Sequence, residues 1–179
     1  MNILILYGSI EGQTQKIAEH IASYLLRHGH QVISLSCKQL PAGFSLENFD
    51  AVIIGGPIHM GKYPGYLQRF VKRHRDWLNS VPSALFTVCM GIRSEEAKSR
   101  ETAAHYPQRF IEQTGWKPSV TRTFAGAVKY TQYNFITRFI MKMIARKEGG
   151  STDTSRDHEY TNWEEVEDFA EAFMTKFAD

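Results

Sequence analysis

Only two cysteines occur in the 179 residues, Cys37 and Cys89, far apart and without metal-ligand spacing. That scarcity excludes a disulfide scaffold and a thiolate metal centre, and it suits a reducing compartment such as the cytosol. No stretch of about 18 uninterrupted apolar residues is present, so no membrane-spanning helix is expected. The first residues, MNILILYGS, lack a basic leader and a small-residue cleavage site, which argues against secretion. Internal repeats and low-complexity segments are also missing. So are two nucleotide signatures, the dinucleotide G-x-G-x-x-G and the Gly-Lys-Ser/Thr ending of a Walker loop. What remains is a chain with 42% apolar residues, long enough to bury a core as one domain over 1–179.

A net charge of +2 conceals a strong asymmetry. Residues 1–147 carry 19 Lys/Arg against 9 Asp/Glu, and residues 148–179 carry 2 against 10. The body is therefore +10 and the tail −8. Either the acidic tail complements a basic surface within the fold, or the body turns a basic face to an anionic substrate or membrane. The cations are dispersed and no recognition module appears, so nucleic acid is not an expected partner.

Short apolar runs alternate with helical patterns. NILILYG (2–8) reads as a strand covered on both faces, followed by a helix with Ile17, Ala18, Ile21, Ala22 and Leu25 on one side. QVISLSC (31–37), DAVIIGGP (50–57), SALFTVCM (83–90) and RTFAGAV (122–128) read as further strands, with helices near 64–79 and 95–114. This order predicts a doubly wound α/β fold around a five-stranded parallel sheet. After the fifth strand a basic, aromatic-rich segment is inserted at about 129–160. A last helix follows, marked by the capping-box spacing of Thr161 and Glu164 and by an apolar stripe from Val166 to Phe177.

In such a sheet the loops at the carboxyl ends of the strands share one crevice. The first of them, SIEGQT (9–14), runs into a helix N-terminus, where free amides and the helix dipole favour an anion. Ser9 and Thr14 offer hydroxyls, Gln13 an amide, and Gly12 a close backbone approach. Without a Walker lysine the turn suits a terminal monophosphate. The plainer alternative is an ordinary strand-to-helix turn with Ser9 as its cap.

SIEGQT resembles the phosphate loop of the flavodoxins, GGPIHMGKYP (55–64) resembles the loop beside the isoalloxazine ring, and TVCMGIR (87–93) the second flavin loop. FAGAVKY (124–130), the basic insertion and EGGSTDTSRDHEYTNWEEV (148–166) add a similarity to the menaquinone-dependent protoporphyrinogen IX dehydrogenase family, across essentially the whole chain. Glu11 departs from the usual hydroxyl residue, and its carboxylate has to turn away from a bound phosphate.

The resemblance implies a flavodoxin-like fold and FMN as cofactor. It also implies oxidation of protoporphyrinogen IX to protoporphyrin IX in haem biosynthesis, with electrons passing to menaquinone or ubiquinone. It assigns the phosphate to Ser9, Gly12, Gln13 and Thr14, with Ile10 and Glu11 as further cofactor-binding residues of the same turn. The ring then lies against Pro57, Ile58, His59, Met60 and Gly61, with Cys89, Met90, Gly91 and Ala127 as further wall. His59 is a candidate for proton transfer, the alternative being that it packs beside the ring. Lys62, Arg93 and Lys129 are candidates to meet the substrate's propionates, and Tyr63 and Tyr130 to stack on its macrocycle.

Within YNFITRFIMKMIARK (133–147), Phe135, Ile136, Phe139, Ile140, Met143 and Ile144 share one helical face, while Arg138, Lys142 and Arg146 recur every fourth residue. A basic amphipathic helix of this kind suits the inner face of the cell membrane, with Lys147 as a fourth cation. The alternative is packing on the domain itself or across a homo-oligomer. Two other functions remain open, a flavodoxin-type electron carrier and an NAD(P)H-quinone reductase. The basic body argues against the first, and the lack of a second nucleotide motif against the second.

Overall fold

The computed structural model describes residues 1–147 and 150–177, Lys147 in its main chain only. The side-chain charge of Lys147, residues Glu148 and Gly149 of the 148–166 motif, and the tail charge Asp179 lie outside the described residues. Five parallel strands form the main sheet: β1 (Asn2–Tyr7), β2 (Gln31–Ser36), β3 (Ala51–Pro57), β4 (Ser83–Val88) and β5 (Val120–Phe124), in the order β2-β1-β3-β4-β5. The strands are apolar on both faces because helices cover both. Ile3, Ile5, Ile53 and Phe86 point to one side, against α1 (Gln13–Arg27) and α6 (Trp163–Thr175). Leu4, Leu6, Val52, Ile54 and Leu85 point to the other, against α2 (Gly65–Arg73), α3 (Arg75–Ser80) and α4 (Ala97–Thr114).

Three expectations need correction. The segment 122–128 is not one strand. β5 ends at Phe124, and β6 (Ala127–Val128) leaves the sheet to pair antiparallel with β7 (His158–Glu159). The helix near 64–79 is two helices, with His74 as the joint between α2 and α3. The cap of α6 is Asn162, whose side chain accepts from the Glu164 N–H at 3.1 Å, rather than Thr161.

The small β6–β7 ribbon sets the insertion beside the carboxyl ends of the strands. From it the chain enters α5 (Phe135–Lys147), whose inner side, with Ala145 buried and Met141 half-buried, joins Val128 and Tyr130 in a separate apolar cluster. The face opposite is bare. Phe135 is 86% exposed, Ile136 70% and Phe139 62%, and Ile140, Met143 and Ile144 are exposed with them. Packing of that face on this chain, one of the two readings of the sequence, is not what the fold adopts. The acidic tail instead seats α6 against α1, where Glu167 meets His20 at 3.1 Å and Arg27 at 3.2 Å.

Candidate functional site

The turn after β1 is shaped by its own backbone. Gly12 has φ +88°, a left-handed conformation open to glycine at little cost, and its N–H donates to Ser9 Oγ at 3.0 Å. The first intrahelical bond of α1 is Lys16 N–H to the Gly12 carbonyl at 3.0 Å. The amides of Gln13, Thr14 and Gln15 therefore have no helical acceptor, and no acidic residue lies in the first turn. Those groups make an anion-binding end. The N-cap of α1 is Gly12, with no side-chain cap bond, so Ser9 is not the helix cap; it accepts from the Gly12 N–H and keeps its own hydroxyl hydrogen for a ligand.

Gln13 does something else. Its Nε2 donates to Thr161 Oγ1 at 2.9 Å, and Thr161 in turn donates to the Ala125 carbonyl at 2.7 Å. The side-chain amide expected to reach a phosphate is thus committed to the segment before α6, and Thr161 is taken from its expected capping role. Gln13 Oε1 is buried with no donor among the described residues. Glu11 is engaged as well. Its carboxylate accepts from the Tyr133 hydroxyl at 2.7 Å, which binds the insertion to the turn. Burial, and then the Glu11 carboxylate, push the Tyr133 phenol well above its ordinary value, so it stays a donor at neutral pH. Lys16 and Glu159 form a third tie. Burial raises the Glu159 carboxyl, but hydrogen bonds from Lys16, Gln13 and Trp163 outweigh it and hold the group low.

A narrow crevice opens beyond this turn. Ile10, Glu11, Gln13 and Thr14 form one side, Pro57, Ile58 and His59 another, and Met90 and Ala127 close it. The sequence reading missed three wall residues: Val88, Gly126 and, from α5, Met141. Val88 and Gly126 were hidden because the ends of the fourth and fifth strands were placed two and four residues late. Met141 lies on the half-buried side of a helix whose exposed stripe drew attention first. The remaining members of the expected set stand back from the crevice. Ser9 and Gly12 build the turn, and Met60 and Gly61 form the tip of a tight hairpin in which His59 and Lys62 exchange backbone hydrogen bonds. Both tip residues have positive φ, +49° and +75°, the signature of a type I′ turn. Cys89 gives its N–H to the Phe124 carbonyl, and Gly91 lies close to Ala103 and Cys89 Sγ. His59 is exposed on the crevice wall.

Neither tyrosine proposed for stacking is available. Tyr63 is buried, hydrogen-bonded to Thr87 and packed on Phe110, and buried Tyr130 donates to the Ser151 carbonyl at 2.9 Å. Arg93 lies over the Tyr160 ring, 5.4 Å from its centroid. Arg138 is also spoken for, since its guanidinium donates to the Tyr130 and Tyr133 carbonyls at 3.1 Å each. A roomier hollow of about 330 Å³ lies at the amino ends of the strands, among Met1, Tyr24, His28, His30 and Phe173, away from all these loops.

The residues present fit FMN. Free helix amides and two hydroxyls suit its phosphate, the orphaned Gln13 oxygen suits a hydroxyl of its ribityl chain, and Pro57, Ile58, Met90 and Met141 supply an apolar slot for a flat ring.

Fold and crevice define a flavodoxin-domain protein, and the family model described as Flavodoxin domain matches residues 4–155. Oxidised flavodoxin 1 from Bacillus cereus superposes with a TM-score of 0.58 at 15% identity, covering 98% of each chain. Among curated proteins, the Escherichia coli (strain K12) protein named protoporphyrinogen IX dehydrogenase [quinone] is 37% identical over 95% of this chain and 93% of its own length. A Leishmania major protein of the same name is 31% identical over 95% of this chain and 73% of that protein. Within the flavodoxin-domain proteins, the chain belongs to the protoporphyrinogen IX dehydrogenase [quinone] family.

Proposed function

We propose that this chain, acting as one domain, binds FMN and oxidises protoporphyrinogen IX to protoporphyrin IX in haem biosynthesis, passing the electrons to a membrane quinone. Bound FMN supplies the two-electron acceptor chemistry. The protein's own part is positional. The amides of 13–15 with Ser9 and Thr14 hold the phosphate, Gln13 Oε1 takes a ribityl hydroxyl, and the walls at 57–58, 88–90 and 126–127 keep water from the ring. His59, whose imidazole makes no hydrogen bond among the described residues, can take up a proton released as the porphyrinogen loses hydride.

The observation that carries this reading beyond simple electron carriage is Met141. It places α5 on the wall of the flavin crevice while the opposite face of the same helix, six apolar residues with Lys142 and Arg146 on its flank, is exposed. Ile10, on the crevice wall, is exposed as well. An enzyme whose acceptor is dissolved in a bilayer gains from such a surface, and the chain is read as lying peripherally on the inner face of the cell membrane. No helix among the described residues is long and apolar enough to cross one.

The test is an anaerobic assay of the FMN-loaded protein with protoporphyrinogen IX and a short-chain menaquinone or ubiquinone analogue. Porphyrin should form in step with quinone reduction. Turnover supported only by NAD(P) would favour the pyridine-nucleotide reductase, and flavin reduction without any porphyrinogen oxidation would favour the carrier.

A further inference from the structure

The loop carrying His59 and Met60 separates two concavities. On the side away from the flavin crevice lies a polar cleft of about 340 Å³ between α2 and α4, into which Lys62, Gln68, Lys72, Tyr106, Arg109 and Gln113 project. Three cations line it and no carboxylate does. Elsewhere Lys16, Arg27, Arg75 and Arg156 have found acidic partners, but among the described residues Lys62, Lys72 and Arg109 make no ion pair. Glu101 shares a neighbouring hollow with Arg109 without pairing to it. Like charges gathered round one cleft repel, and an anion seated among them removes that cost.

The cleft is also well founded. Its floor is Tyr63 and Phe110, tilted rings with centroids 4.3 Å apart and buried in the core, and Gln68 and Gln113 join its two helices by a hydrogen bond of 3.3 Å. Its lip is Gly61, next to the Tyr106 hydroxyl and one turn residue from the crevice wall. A ligand bridging the lip would present one edge to the crevice and another to the cations.

We infer that this cleft receives the carboxylates of the tetrapyrrole substrate, with Arg109 offering a fork to one propionate and Lys62 and Lys72 acting as point charges for the other. This rests on the function proposed above. Two propionates on one edge of the macrocycle match three cations in one cleft, and the apolar remainder of the ring is left to the crevice mouth. Arg109 can meet a carboxylate bidentately as a Lys in its place could not, whereas at position 72 a point charge is enough and an Arg can supply it.

The experiment compares wild type with Lys72→Gln, Arg109→Gln and Lys72→Arg, all in FMN-loaded form, on protoporphyrinogen IX and on its dimethyl ester. Loss of each cation should raise KM for the free acid by about tenfold, with kcat little changed, and should leave KM for the ester as in wild type. Lys72→Arg should hold near the wild-type value. Equilibrium binding of protoporphyrin IX, read by quenching of its fluorescence, should weaken in parallel. An unchanged KM for the acid in a wild-type-active background would overturn the inference, as would an equal rise for acid and ester. Loss of anionic-liposome binding with KM unchanged would assign the cations to lipid head groups instead. A wild-type protein that binds FMN yet oxidises neither porphyrinogen would refute the proposed function itself, and the cleft's role with it.

Discussion

At the scale of single residues, the 9–14 turn divides its labour in an order that composition does not show. Gln13 and Thr14 are both nearly fully buried, yet Gln13 reaches back to Thr161 while Thr14 lies on the crevice wall. Replacing Thr14 by Ala should weaken FMN binding by about 1.5–3 kcal/mol, the usual worth of a hydrogen bond to a charged group. Titration of the apoprotein followed by flavin fluorescence measures this, and affinity equal to wild type would remove Thr14 from the phosphate site. Glu11 shows a different solution to a residue that looks unfavourable beside an anion. Its carboxylate becomes the acceptor for Tyr133, so the charge that would oppose a phosphate serves to hold the insertion.

Among the elements, α5 depends on very few attachments. With its apolar face outward, it is held by Met141 and Ala145 in a small cluster and by the two bonds from Arg138 to the carbonyls of Tyr130 and Tyr133. Arg138→Ala leaves those carbonyls to find water and should free the helix at its N-terminal end. Limited proteolysis should then cut within 129–147 at least several-fold faster, while the thermal midpoint of the sheet core changes little, because local openings of this kind are independent of global unfolding. Equal cleavage rates would show the cluster alone to be sufficient. The same element marks how far sequence reasoning reached. The parallel strands and the buried stripes of α1 and α6 were legible because continuous apolar runs and a 3.6-residue period are local signals. The division of 122–128 into β5 and β6 was not, since FAGAV is apolar throughout and its break is decided by pairing with His158 and Glu159 about thirty residues on. Arg138 counted as a lipid-facing cation on period alone, and Asn162 displaced Thr161 as a cap because the Thr161 hydroxyl is claimed by Ala125 and Gln13. In each case the deciding partner was distant in the chain.

On the scale of the whole molecule, charge is segregated. Glu167 of the acidic tail pairs with His20 and Arg27 of α1 while Glu164, Glu165, Asp168 and Glu171 stay exposed on α6, and Lys142 and Arg146 flank the apolar face of α5. Changing both to Glu should release the protein from anionic liposomes, since each cation near such a surface contributes about 1 kcal/mol and the reversal removes attraction and adds repulsion. Sedimentation with phosphatidylglycerol vesicles, scored together with flavin absorbance, checks this. Retained sedimentation by the double variant would assign the bare face to a protein partner or a second copy. Raising salt should weaken binding by wild type without abolishing it, because apolar insertion is not screened. The bond from Gln13 to Thr161 has a consequence of another kind. It spans 148 positions, and the tie from Glu11 to Tyr133 spans 122. The 9–14 turn is synthesised well before the residues that brace it, so a polypeptide still lacking them has the turn without its supports. If the cofactor sits on that turn, its loading should follow the docking of the segment before α6, and flavin occupancy should report that docking.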